Sequence, residues 1–198
     1  VAAARASTSE AHGAPVIPVN LDFSQNHFEL MGLPVSFALD RAALEDAYRR
    51  LQGQLHPDRF AQSGDQERRL AVQGAAWVNE AYATLKDDTR RARYLLTLKG
   101  VEFNDERDTA SDPAFLMEQM ELREALEEAP EAADPLGRLD ALSGDIAARR
   151  SALSAQFAEA LDADRVDEAK TLVLKMRFYD KLRDEARRTA ERLEDELL

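Results

Sequence analysis

Leu44, Ala47, Tyr48, Leu51 and Leu55 recur at the spacing of a single helix face, with Asp40 placed to cap the start and Leu39 and Leu44 at staple spacing. Pro57 ends this stripe: its ring disfavours α geometry at His56 and it has no N–H to donate. Before it, Phe28, Leu30, Met31 and Leu33 crowd into a short element within 23–33 that Gly32-Leu33-Pro34 closes. After it, Leu70, Gly74, Trp77, Val78, Ala81, Tyr82 and Leu85 predict a long helix over 67–86, antiparallel to the first, with His56-Pro57-Asp58 on the exposed bend between them. A short basic helix follows through Arg90, Arg91, Arg93, Tyr94, Leu95 and Leu96, closed by Gly100. Residues 100–111 are mostly polar and read as a linker. Beyond it, three further helices are predicted over 112–128, 135–163 and 164–197. Stripes through Leu139, Leu142, Ile146, Leu153, Phe157 and Leu161, and through Leu172, Met176, Tyr179, Ala186, Ala190, Leu193 and Leu197, zip the last two together. The expected fold is all-α: an N-terminal helical hairpin over 21–99 and a C-terminal three-helix bundle over 112–198, preceded by a disordered tail at 1–20.

Composition narrows the function classes. Eight Gly and seven Pro are few for 198 residues and fit an all-helical chain. The 26 basic and 38 acidic side chains leave a net charge of −12, which disfavours nucleic acid as a partner. The charge is lopsided: residues 1–107 carry 13 basic and 15 acidic groups, residues 108–198 carry 13 and 23, so two halves with different partners are expected. The absence of cysteine removes disulfides, thiolate metal sites and cysteine nucleophiles together, and a reducing compartment, the cytoplasm, is the expectation. No run is apolar enough to span a membrane, and no secretory leader is legible. His12, His27 and His56 are scattered, no phosphate-cradling glycine loop is present, and the carboxylates fall on charged helix faces; no enzyme site, cofactor or metal centre is expected.

His56-Pro57-Asp58 by itself is weak, since a Pro-Asp pair after a helix is most often a turn. Its frame adds specificity: Tyr48-Arg49-Arg50-Leu51 before it, Arg59-Phe60 after it, Val78-Asn79-Glu80-Ala81-Tyr82 in the next helix and Arg91-Ala92-Arg93-Tyr94-Leu95-Leu96 beyond. Residues 25–99 resemble a J-domain. The resemblance implies that His56, Pro57 and Asp58, with Arg49, Arg50 and Arg59, dock on a chaperone ATPase of the DnaK class and stimulate its ATP hydrolysis. Arg59 stands where many J-domains have lysine, which keeps the charge.

The second half carries its own signal. At about 100° per residue, Phe115, Leu122 and Leu126 share a face fit for a bundle core, whereas Leu116, Met117 and Met120 point roughly 100 to 200° away. An exposed patch of one Leu and two Met, rimmed by Glu121, Glu124 and Glu128, suits an adaptable protein-binding surface. Phe178 lies off the centre of its own stripe and is expected to extend that patch. The run from Asp112 to Leu126, with Met176 to Leu182, resembles the C-terminal domain of the HscB family, the J-proteins of iron–sulfur cluster biogenesis. That resemblance implies two partners, an HscA-type chaperone and an IscU-type cluster scaffold. It assigns scaffold binding to Leu116, Met117, Met120, Glu121, Glu124, Glu128 and Phe178, with Met120 replacing an expected leucine. Some members carry an N-terminal cysteine-rich metal module that this sequence lacks, so the bacterial form is expected. The rival readings are a J-protein serving another client and a helical adaptor that acts on no ATPase.

Overall fold

Side-chain caps and glycine turns set the helix limits in the computed structural model, which describes residues 22–104 and 112–196. Among the described residues every regular element is a helix. The seven α-helices are α1 (His27–Met31), α2 (Arg41–Gln54), α3 (Asp65–Lys86), α4 (Asp88–Leu98), α5 (Pro113–Glu128), α6 (Pro135–Asp162) and α7 (Val166–Glu196). The expected tail at 1–20, most of the expected linker and Leu197 lie outside the described residues. Contacts divide the rest into two compact units, 22–33 with 42–82 and 34–41 with 83–196.

In the first unit, Asn26 accepts the amide protons of Phe28 and Glu29 at 2.9 and 3.0 Å while Glu29 accepts that of Asn26, a reciprocal cap that starts α1. Gly32, at φ +69°, ends it in the left-handed conformation that a Cβ opposes, with Leu33 N–H returning to Phe28 C=O at 2.9 Å. Phe28, Leu30, Met31, Leu44, Ala47, Leu51, Leu55, Phe60, Ala71, Val78 and Ala81 are buried. Helices α2 and α3 run antiparallel, as the pattern predicted. Tyr48 stacks on Tyr82 with ring centroids 4.0 Å apart, and Asn79 accepts from both the Tyr48 hydroxyl and the Gln52 amide at 3.0 and 2.9 Å.

In the second unit, α6 and α7 form the main helix pair, and α5 closes a core of Phe115, Leu122, Leu126, Leu139, Leu142, Ile146, Tyr179 and Leu182. The basic helix α4 belongs to this unit: Ala92 and Leu96 pack with Phe157, Ala160, Leu172, Val173 and Met176. The compact units therefore part inside α3, upstream of the boundary placed at 100–111. The start of that stretch is packed as well. Gly100 (φ +83°) lets Val101 N–H reach Leu96 C=O at 3.0 Å, which turns Val101 and Phe103 onto the same cluster.

Polar contacts fasten α4. The buried Arg91 guanidinium donates to the carbonyls of Leu85 (2.5 Å) and Phe37 (3.0 Å) and to Asp88 (2.8 Å). Arg150 of α6 spans the gap to Asp88 and Asp180, each at 3.1 Å, and to the Thr89 hydroxyl. Burial alone would raise the Asp88 pKa, but hydrogen bonds and charge from Arg91 and Arg150 together hold it below the ordinary carboxylate value.

Candidate protein-binding sites

The tripeptide in the first unit is a built corner. Pro57 occupies the first position of a single 3₁₀ turn, Pro57–Phe60, where its fixed φ and missing N–H cost nothing. His56 caps that turn, its Nδ1 accepting the Asp58 amide proton at 3.3 Å while its carbonyl accepts from Arg59 at 3.0 Å. Leu55 and Phe60, buried on either side, pin the corner to the hairpin. The polar side chains face outward: the His56 side chain is 60% exposed and the Asp58 carboxylate 91%. The sequence pattern placed these residues on a bend; the short helical turn that fixes them was not legible, because a four-residue element leaves no periodicity to read.

Arg49, Arg50 and Arg59 are exposed. Two of the three are steered locally. Arg49 pairs with Glu45 at 3.1 Å and, more loosely, with Asp46 at 3.9 Å, while Arg59 folds back to donate to the Gly53 carbonyl at 3.3 Å. Beside Pro57 lies a feature that sequence reasoning missed, an apolar concavity of about 430 Å³ bounded by Leu55, Phe60, Ala71, Val72 and Ala75. Val72, 66% exposed, opens it to solvent. Val72 is off the buried face of α3, and a lone apolar residue on a polar face was the only signal available for it.

In the second unit α5 begins at Asp112, whose carboxylate accepts from the amides of Ala114 and Phe115 at 3.1 and 3.2 Å, with Pro113 at the first helical position. Lys175 of α7 pairs with the same carboxylate at 2.7 Å and fixes where α5 starts. The hydrogen bond from Lys175 leads the causes that hold the Asp112 carboxyl below its usual range. Half-way along, Glu118 accepts from the Tyr179 hydroxyl at 2.6 Å and pairs with Arg149. Burial, then the Glu118 carboxylate, pushes the Tyr179 phenol well up, so it stays a neutral donor.

With its inner face locked, α5 turns the other face out. Leu116, Met117 and Met120 are 40, 64 and 70% exposed, against 4 to 6% for Phe115, Leu122 and Leu126. Glu121, Glu124 and Glu128 are exposed beside them. The helical-wheel expectation thus matches the exposure of six of the seven residues. Phe178 departs from it. Its ring is 8% exposed, edge-on to Phe115 at 5.5 Å and lying under the Arg123 guanidinium. Its offset from the α7 stripe turns it toward α5, so it supports the patch from beneath instead of widening it.

Among the described residues no group of three or more His, Asp or Glu is placed to hold a metal, and no helix is long and apolar enough to cross a membrane.

The family described as "HSCB C-terminal oligomerisation domain" matches residues 111–187, and the "DnaJ domain" matches residues 26–94. The "Co-chaperone protein HscB homolog" of Cupriavidus taiwanensis is 48% identical over 168 residues, 85% of this chain and 95% of its own length. The solved structure of "Chaperone HscB from Vibrio cholerae" is 46% identical with a TM-score of 0.76, covering 87% of this chain and all of that one. Human co-chaperone HscB superposes with a TM-score of 0.79 at 30% identity, over 85% of this chain and 84% of its own.

Proposed function

Because this chain belongs to the HscB family of J-domain co-chaperones, we propose that it stimulates the ATPase of an HscA/DnaK-type chaperone and delivers to it an IscU-type scaffold during iron–sulfur cluster assembly and transfer. It does so in the cytoplasm as a matchmaker without chemistry of its own; the cluster is cargo held by the scaffold.

The reading divides labour between the sites. The corner at His56-Pro57-Asp58 offers a rigid acceptor in Asp58 beside the cations Arg49, Arg50 and Arg59, a surface complementary to an acidic or polar groove on the chaperone. Its rigidity matters because a preorganised loop loses little conformational freedom on docking. The scaffold side meets two flexible thioethers and a leucine within a carboxylate rim, which selects a partner carrying an apolar knob flanked by basic groups.

One observation carries the scaffold assignment: three large apolar side chains stay in water on α5 while their neighbours fill the core. Calorimetric titration with purified scaffold tests it. Wild type is expected to bind, and Leu116→Ala with Met120→Ala to weaken binding at least tenfold, since each removes roughly a tenfold share of apolar contact. No binding heat with wild type, or unchanged affinity in the double variant, defeats the assignment.

A further inference from the structure

All the sulfur in this chain is thioether, from four methionines and no cysteine. Met31 and Met176 are sealed in the two cores, 2 and 0% exposed, whereas Met117 and Met120 are 64 and 70% exposed. The exposed pair lies three residues apart on the outward face of α5. Every readily reached sulfur atom among the described residues therefore sits on one patch, and no thiol on the chain competes for an oxidant. We propose that Met117 and Met120 form a modification site at which hydroperoxides convert the thioethers to sulfoxides and thereby close the scaffold-docking patch.

The chemistry balances without a cofactor. A sulfur lone pair attacks the terminal peroxide oxygen, the O–O bond breaks as the S–O bond forms, and sulfur gives up two electrons; with hydrogen peroxide the leaving hydroxide takes the proton and departs as water. The surroundings select the oxidant. Glu121, Glu124 and Glu128 lie beside the patch, and residues 108–198 carry 13 basic against 23 acidic groups, a field that admits a neutral peroxide and repels anionic oxidants.

The product changes what the patch can bind. Methionine serves an adaptable interface through its flexible, polarizable, apolar side chain, and the sulfoxide is polar. Covering it would desolvate the new oxygen where an apolar partner offers it no donor. Neither sulfur contributes to a core, so the fold is untouched, and methionine sulfoxide reductases can restore the thioethers. The modification site stands on accessibility alone; its effect on docking rests on the proposed scaffold role.

The full-length protein is exposed briefly to hydrogen peroxide, its peptides are weighed, and circular dichroism is recorded in parallel. Oxygen is expected on Met117 and Met120 at least about tenfold faster than on Met31 and Met176, with an unchanged spectrum. Equal or faster uptake at the buried pair overturns the site. Calorimetry with purified scaffold then reads the consequence: affinity falls roughly tenfold or more on oxidation and returns after reductase treatment. The Met117→Leu/Met120→Leu variant, whatever its starting affinity, is not moved by peroxide. Undiminished binding by doubly oxidised protein, or a peroxide effect that persists in the variant, overturns the docking claim. If untreated protein binds no scaffold, the proposed function fails and the docking claim with it, while the peptide masses still decide the modification site.

Discussion

Phe178 and Met120 show how the same apolar character serves two ends. Phe178 meets Phe115 edge-on and is 8% exposed, so Phe178→Ala should lower the unfolding free energy by about 3 kcal/mol in a urea titration, with any binding loss accompanying that damage. Met120 is 70% exposed, and Met120→Ala should cost less than about 0.5 kcal/mol of stability while weakening scaffold binding. His56→Gln and Asp58→Asn belong with Met120. Both side chains point outward, so stimulation of the chaperone ATPase should vanish while the thermal melt barely moves; a melt that collapses would mean that the corner is structural. The exposure of α5 was legible because one helix repeats every 3.6 residues and Phe115, Leu122 and Leu126 fix its inner side. Phe178 was misjudged because a wheel drawn for α7 alone contains no information about where α5 crosses it.

At the scale of elements, α4 is held by a guanidinium that its own sequence does not contain. Arg150 lies on α6 among ordinary surface charges, yet it is largely enclosed and bridges Asp88 and Asp180. Removing it takes one cation from each of two partly buried carboxylates, leaving Asp88 to Arg91 and Asp180 to Thr89 and the more distant Arg183. Arg150→Met should therefore destabilise the protein by about 2 kcal/mol, below the range for a fully buried pair because those partners remain and solvent still reaches Asp88. The pH dependence follows. The folded pKa of Asp88 lies below its ordinary value of 3.8, so the unfolded chain takes up the proton first as pH falls. Its contribution is complete above that ordinary value and disappears as pH drops through the folded pKa. Urea titrations between about pH 5 and pH 2 should show a steeper acid loss in wild type than in Arg150→Met; parallel curves would remove Asp88 from the account. Most helix limits were legible to within about two residues, since Asp40, Pro57 and Gly100 punctuate the chain, whereas the short element within 23–33 was bracketed only loosely around α1. The grouping of α4 with α6 and α7 was not legible. It depends on Ala92 and Leu96 finding Phe157 and Met176 more than fifty residues away, and amphipathicity marks a face without naming its partner.

For the whole molecule, the proposed function requires two binding surfaces on one chain: a scaffold held on α5 would be presented at raised effective concentration to a chaperone docked at His56–Asp58, which would turn a pair of modest affinities into targeting. Under the same proposal, the acidic second half would steer a basic partner. Raising ionic strength should slow scaffold association with little change in dissociation, as stopped-flow mixing will record; a salt-independent on-rate would assign the Glu121, Glu124 and Glu128 rim no part in recognition. The most direct measurement is steady-state ATP turnover by the HscA-type chaperone with this protein, with scaffold, and with both. Turnover with both should exceed the sum of the separate effects, and Leu116→Ala/Met120→Ala should erase that excess while leaving stimulation by the co-chaperone alone. Strictly additive turnover, or an excess that survives loss of the patch, would contradict the claim that one chain joins the two partners.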